Sequence, residues 1–119
     1  MQEVNVKQVV IDALEDVKGN EITCIDVTQQ TDITDYMIIV SGTSNRHVKA
    51  LARSVIDGAR SAGLVPIGVE GLEEGEWVLV DLADVVVHLM LPAVRDFYDI
   101  ERLWTLSPLD NEESTIIEH

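Results

Sequence analysis

The most constraining feature of this sequence is a β-hairpin predicted over residues 75–92, GEWVLVDLADVVVHLMLP. Two aliphatic runs flank the pair Ala83-Asp84, and side chains along a strand point alternately to opposite faces of a sheet. A turn at this pair gives one wholly aliphatic face, which must be core: Val78, Val80, Leu82, Val85, Val87 and Leu89. The other face, called the mixed face below, carries Trp77, Leu79, Asp81, Val86, His88 and Met90.

The residues of the turn fit this hairpin less well than its strands do. Tight two-residue turns favour Gly or Asn where φ is positive, and Ala83 carries a Cβ. A longer turn, or a register shifted by one residue, therefore stays open. Such a shift would exchange the two faces.

Around the hairpin, apolar residues at helical spacing predict two long helices, and runs of β-branched residues predict further strands. In chain order the elements are a helix over 6–17, strands at 22–27 and 36–42, a helix from Thr43 or Ser44 to Gly63, a strand within 64–71, the hairpin, and one short helix from Pro92 to Trp104. The 119 residues thus predict a single α/β domain, with a mixed five-stranded sheet and flanking helices.

The two sides of the predicted sheet are unequally supplied with helices. Two long helices are about enough to cover one side, which leaves only the short C-terminal helix for the other. The mixed face is therefore either partly open to a partner or hidden beneath Phe97, Tyr98 and Trp104. Its aromatic, aliphatic, thioether and polar groups suit a binding surface.

The charge of the chain limits the kind of partner. Lys and Arg number 8 against 22 Asp and Glu, for a formal net charge of −14. Such a surface disfavours direct nucleic-acid binding and attracts a basic partner, although acidity also serves solubility alone. One face of the second helix is basic, and we interpret it as a solvated face or as a contact for an acid or phosphate: Arg46, Lys49, Arg53 and Arg60.

No pattern in the sequence is typical of a catalytic, metal or cofactor site. Asp81 and His88 have no nucleophile or third ligand at informative spacing, so we interpret them as a contact pair at a binding surface. The stretch SGTSN, 41–45, could hold an anion at a helix start, but it lacks the Lys of a P-loop and the spaced glycines of a dinucleotide fingerprint. Capping alone explains it.

Cysteine usage and hydropathy favour a cytoplasmic protein. Cys24 is the one cysteine, so no disulfide forms within the chain, and we interpret it as an inert core thiol. No stretch approaches the roughly 18 apolar residues that a membrane span needs. The N-terminus has no cleavable signal pattern.

Two long segments carry a resemblance to a known family: DYMIIVSGTSNRHVKALA (35–52) and EGLEEGEWVLVDLADVVVHLMLPAVRDFYDIERLW (70–104). Together with their separation they resemble the ribosomal silencing factor family, also called RsfS or Iojap. The resemblance runs from the first helix to Trp104. The family usually has an aromatic residue and Gly where this chain has Leu82-Ala83, and often Gln in place of His47.

The resemblance implies a domain shaped like a nucleotidyltransferase, without that activity, over residues 1–104. The polar, acidic residues 105–119 predict a flexible tail. The resemblance further implies a translational repressor, often dimeric, that binds the large ribosomal subunit through its protein L-fourteen, sterically blocks joining of the small subunit and damps translation when nutrients are short. Combined with the hairpin, it suggests these partner-binding residues: Trp77, Leu79, Asp81, His88, Met90 and Tyr98.

Two alternatives to this function stay open. A divergent nucleotidyltransferase-like enzyme would need an Asp-x-Asp pair to hold divalent metals, whereas Asp81 and Asp84 stand three apart. A regulator that binds some other protein would use the same mixed face.

Overall fold

The computed structural model describes residues 4–105. In chain order their elements are α1 (Val6–Asp16), β1 (Asn20–Asp26), β2 (Tyr36–Ser41), α2 (Asn45–Ser61), β3 (Gly68–Glu70), β4 (Trp77–Asp81), β5 (Val85–Met90), α3 (Pro92–Tyr98) and α4 (Ile100–Thr105). The predicted acidic tail lies outside the described residues apart from Thr105, which ends α4. Within the described part of the chain, no helix combines the length and the apolar character needed to cross a membrane.

The five strands form one mixed sheet in the order β1-β2-β5-β4-β3. β2 and β5 run parallel, and the other neighbours are antiparallel. The predicted hairpin register is confirmed, because Trp77 lies opposite Met90, Leu79 opposite His88 and Asp81 opposite Val86. The predicted fold class is thereby confirmed as a mixed five-stranded sheet with flanking helices.

The aliphatic face of the hairpin packs beneath α1 and α2. Ser44 begins α2 as its cap, since its hydroxyl accepts a hydrogen bond from the His47 N–H at 3.1 Å. The buried stripe of α2 meets the hairpin in one core, and α1 contributes to it as well. Residues that reach full burial there include Leu14, Ile38, Leu51, Val55, Val78, Val87 and Leu89.

A second, smaller core lies on the opposite side of the sheet. The C-terminal helices cover this core with Val94, Ile100 and Trp104. Its buried members come from β1, the residue after β1, β2 and β5: Ile25, Val27, Met37, Ile39 and Met90. The prediction of one C-terminal helix was wrong. Asp99 adopts a left-handed conformation, with φ of +47°, and ends α3 before α4 begins.

A buried guanidinium holds α3 and α4 to the sheet. Arg95 on α3 is 6% exposed, and its Nε donates to Glu101 Oε1 on α4 at 2.7 Å. It also donates to Ser41 Oγ on β2 at 2.9 Å and to Thr23 Oγ1 on β1 at 3.0 Å. Arg95 therefore joins four elements, and its hydrogen bonds hold the pKa of the Glu101 carboxyl below its usual value.

Cys24 differs from its prediction as a core thiol. It is exposed on β1, which is an edge strand of the sheet. Partial burial raises the pKa of its thiol. Alternation along an edge strand gives no signal of whether a helix reaches that far across the sheet, which is why the sequence pattern misled here.

Ala83 supports our first prediction, because it has a positive φ of +71° in the two-residue turn. The turn closes with Leu82 N–H donating to the Val85 carbonyl at 2.9 Å. Replacing Ala83 by Gly removes a backbone strain of about 1–2 kcal/mol from the folded chain. It also gives the unfolded chain more conformational entropy, which lowers stability by about 0.4–1 kcal/mol. We expect Ala83→Gly to raise the free energy of unfolding by roughly 0.5–1 kcal/mol in urea titrations. Ala50→Gly, in the middle of α2, is the control and lowers it by about 1 kcal/mol; equal losses in both variants would contradict the strain.

The Arg95 cluster supports a second prediction. Arg95→Met leaves Glu101, Ser41 and Thr23 without their shared donor, and the free energy of unfolding should fall by about 3 kcal/mol. Arg53 on α2 is exposed and makes no ion pair with the described residues, so Arg53→Met should change it by under about 0.5 kcal/mol. Chemical denaturation of both variants measures the contrast. Similar stabilities would show that Arg95 does not hold the helices down.

Candidate functional site

The mixed face is only partly covered in the structure. The C-terminal helices pack over β1, β2 and the Met90 end of β5, and they leave the rest of this side open. The register places Gly68 beside Asp81 and Glu70 beside Leu79, so these pairs share the face. We call this surface the open half-sheet: Gly68, Glu70, Leu79, Asp81 and Val86. His88 lies on the same face but is buried, with 8% exposure.

Partial exposure marks the open half-sheet. Leu79, Asp81 and Val86 are each half-buried, although they stand on central strands. A Cβ built on Gly68 meets nothing within 4 Å. The surface is therefore partly accessible, and its rigidity comes from strands rather than loops.

Trp77 and His88 form a hydrogen-bonded pair beside this surface, towards the Met90 end of the mixed face. The Trp77 Nε1–H donates to His88 Nδ1 at 3.0 Å across the β4–β5 pair. Because Nδ1 accepts, the neutral imidazole carries its proton on Nε2, which is left to donate elsewhere. Burial lowers the pKa of His88 to about 4, so the ring is neutral at pH 7.

Trp77 also begins a run of three aromatic rings. The Tyr98 ring lies 4.8 Å from the Trp77 ring, centroid to centroid. The Phe97 ring lies 4.9 Å from the Tyr98 ring, and the planes of these two rings meet at 84°. Phe97 is 80% exposed and Tyr98 is 54% exposed. We call these three residues the aromatic corner.

The aromatic corner answers the question that the sequence left open. Trp104 folds back and packs on the second core, as one alternative held. Phe97 does not cover the mixed face, because it remains mostly in solvent, and Tyr98 only borders it. The mixed face is thus hidden at its Met90 end and open at its Asp81 end.

Two of the predicted site residues have roles within the fold. Met90 is 0% exposed, so in this conformation it supports Trp77 from within the second core and does not reach a partner. The Asp81 carboxylate accepts a hydrogen bond from Ala83 N–H at 2.9 Å and so stabilises the turn. Asp81 is still half-exposed and can accept from a cation as well.

Sequence reasoning missed Arg95, Glu101 and Phe97. The first two belong to the segment that carried the family resemblance, yet they hold α3 and α4 in place. Phe97 was assigned a covering role, and only its position one residue before Tyr98 on a short helix could have indicated an exposed ring. A buried arginine has no distinctive sequence signal, because its partners come from distant elements.

The SGTSN stretch is explained by capping and packing. Ser44 caps α2, and the His47 Nδ1 accepts from the Thr43 N–H at 2.9 Å. The His47 Nε2 lies 2.7 Å from the Val17 carbonyl and donates to it, which joins α2 to the end of α1. His47 is therefore a structural residue in this chain.

The described residues contain no group of three or more His, Cys, Asp or Glu side chains that could hold a metal ion. The basic face of α2 lies on the side of the sheet that α1 and α2 cover, opposite the side with the open half-sheet. Arg46, Arg53 and Arg60 on it are exposed.

Comparisons with known proteins agree on one family. A family model described as ribosomal silencing factor during starvation matches residues 2–118. The ribosomal silencing factor RsfS of Chromobacterium violaceum is 53% identical over 104 residues, which cover 87% of this chain and 85% of that protein. A mouse protein named mitochondrial assembly of ribosomal large subunit protein 1 is 37% identical over 103 residues, covering 82% of this chain and 44% of that protein. A crystal structure of a Chromobacterium violaceum protein, 53% identical, matches with a TM-score of 0.84 and covers 87% of each chain.

The buried His88 supports a prediction about pH. Its pKa is about 4 in the folded chain and 6.5 ordinarily, so between these values the unfolded chain binds the extra proton. Stability must therefore fall as the pH drops through this window, by about 2 kcal/mol between pH 7 and pH 4.5.

The measurement is urea unfolding at several pH values for the wild type and His88→Gln. Gln retains an acceptor for Trp77 but does not titrate, so the variant should lack this component. Carboxylates contribute equally to both proteins and cancel in the difference. Parallel pH profiles would mean that His88 is not held neutral by the fold.

Proposed function

The chain belongs to the ribosomal silencing factor family, and from that premise we propose that it silences translation by binding the large ribosomal subunit through ribosomal protein L-fourteen. Its role as a ribosome-associated silencer follows from the family itself. The mouse relative supports the large subunit as the partner, because its name refers to assembly of that subunit. In this proposal the bound protein sterically blocks joining of the small subunit and damps translation under nutrient limitation.

The open half-sheet is the observation that carries the proposal. A β-sheet side in a monomer is normally covered or polar, whereas this one leaves Leu79 and Val86 half-exposed, with Leu79 two residues from Trp77 on the same face. Exposed apolar and aromatic groups with polar neighbours are typical of protein interfaces. Obstruction requires only that a protein occupy this face, and no chemistry is needed.

Each residue of the face then has a distinct part in binding. Trp77 is the anchor, held in place by His88 and Tyr98. Leu79 packs beside it, and the free Nε2–H of His88 donates to a partner acceptor. Asp81 meets a lysine or arginine, and Tyr98 extends the contact. Met90, which was expected to make a contact, acts only through its packing under Trp77.

Electrostatics favour a basic protein as the immediate contact. The net charge of −14 attracts and steers a cationic partner, and it repels the surrounding RNA.

The relatives are named as silencing factors, a regulatory family, which suggests a non-enzyme. We propose a cytoplasmic site of action. A homodimer stays a prediction that sedimentation equilibrium tests directly.

Trp77→Ala should weaken co-sedimentation with purified large subunits at least tenfold, because truncating a central aromatic anchor costs roughly 2 kcal/mol or more. Circular dichroism and the thermal midpoint verify that the variant is folded. A folded Trp77→Ala that binds as tightly as the wild type would remove Trp77 from the site.

A second variant tests the face without touching the second core. Val86→Arg places a cation on the open half-sheet beside Asp81, so it should repel a basic partner and obstruct close contact. Ser61→Arg, on the exposed end of α2 across the sheet, is the matched control and should bind normally. If both arginine variants lose binding equally, net charge and not this face determines the interaction.

A further inference from the structure

We propose that the aromatic corner binds a lysine or arginine side chain of the partner through cation–π contact. This inference rests on the proposed function for the identity of the partner, and it adds the chemistry that this part of the surface recognises. The occupant is a cationic side chain of a basic protein, seated against the exposed rings of Phe97 and Tyr98 with Trp77 behind them.

The geometry of the three rings suits a cation better than it suits a flat apolar group. Phe97 and Tyr98 meet edge to face at 84°, so their planes form two walls of a right-angled corner. The Trp77 ring packs against Tyr98 at 4.8 Å between centroids, tilted by 46°, and so adds a third ring beside the corner. Ring faces carry partial negative charge, and a cation within roughly 6 Å of a ring centroid is attracted to it.

The exposure of Phe97 has no explanation within the fold of the described residues. Its side chain is 80% exposed at the end of α3, and its one ring contact is with Tyr98. A phenylalanine in this position loses the free energy that burial would provide, about 1.5–3 kcal/mol for such a side chain. Burial on binding recovers that loss, which supports a contact role.

The charges around the corner select a cation. Asp96 and Asp99 flank the two rings in sequence and are exposed, as is Glu76 before Trp77. The cation of α3, Arg95, points inward and is paired with Glu101. An apolar partner would remove these carboxylates from water without compensation, whereas a lysine or arginine satisfies both the rings and the carboxylates.

The composition of the chain allows an unusually selective test. Phe97 is its only phenylalanine, so growth on fluorinated phenylalanine modifies this ring alone. Fluorine withdraws electron density from the ring face and makes the ring more hydrophobic at the same time. Cation–π contact therefore predicts weaker binding with each added fluorine, and simple apolar burial predicts equal or tighter binding.

The experiment measures the affinity of purified large subunits for proteins with mono-, tri- and pentafluorinated Phe97. We expect a stepwise loss of roughly three- to tenfold across the series. Phe97→Leu, grown on the same amino acids, carries no label and should show one weakened affinity in every medium. Tyr98→Leu, which removes the second ring, should bind more weakly than Tyr98→Phe, which retains it.

The outcomes separate this inference from the proposed function. A wild-type protein that binds large subunits but is unaffected or strengthened by fluorination overturns the cation–π contact and leaves the silencing role intact. Wild-type affinity in Phe97→Leu does the same. A wild-type protein that does not bind large subunits overturns both proposals.

Discussion

The buried guanidinium of Arg95 is the group on which the layout of the second side of the sheet depends. Its hydrogen bonds to Thr23, Ser41 and Glu101 place α3 and α4 over β1 and β2. A buried cation is costly unless all its donors are satisfied, so the helices cannot slide towards β4 without losing these partners. The open half-sheet is therefore a consequence of where this one charge is neutralised.

The hairpin could be predicted from the sequence because its information is local. A period of two along two strands fixes both faces at once, and a core requirement on one face fixes the register. Even Ala83, a poor residue for the turn, adopts the positive φ that this register demands, with Asp81 accepting its N–H. The packing gained along six aliphatic residues outweighs the strain at one.

The features that sequence reasoning missed depend on contacts between distant elements. Asp99 breaks the C-terminal helix, and the exposure of Cys24 depends on how far α1 extends across an edge strand. Met90 lies on the mixed face as the alternation predicts, but alternation cannot say that residues of α3 and α4 pack over this end of the face. The same applies to the motif that carried the family resemblance. Within that motif, Arg95 and Glu101 hold α3 and α4 in place, whereas Trp77, Phe97 and Tyr98 form the aromatic corner.

The proposed obstruction of subunit joining benefits from a surface that needs no rearrangement on binding. Trp77 stands on a central hairpin strand, its indole N–H is held by His88 and its ring is packed against Tyr98. An anchor held by three such constraints loses little further conformational entropy when a partner arrives. The burial that keeps His88 neutral also preserves Nδ1 as the acceptor for Trp77, since a protonated imidazole could not accept that bond. The burial that lowers the pKa of His88 thus also helps to hold Trp77 in place on the proposed docking face.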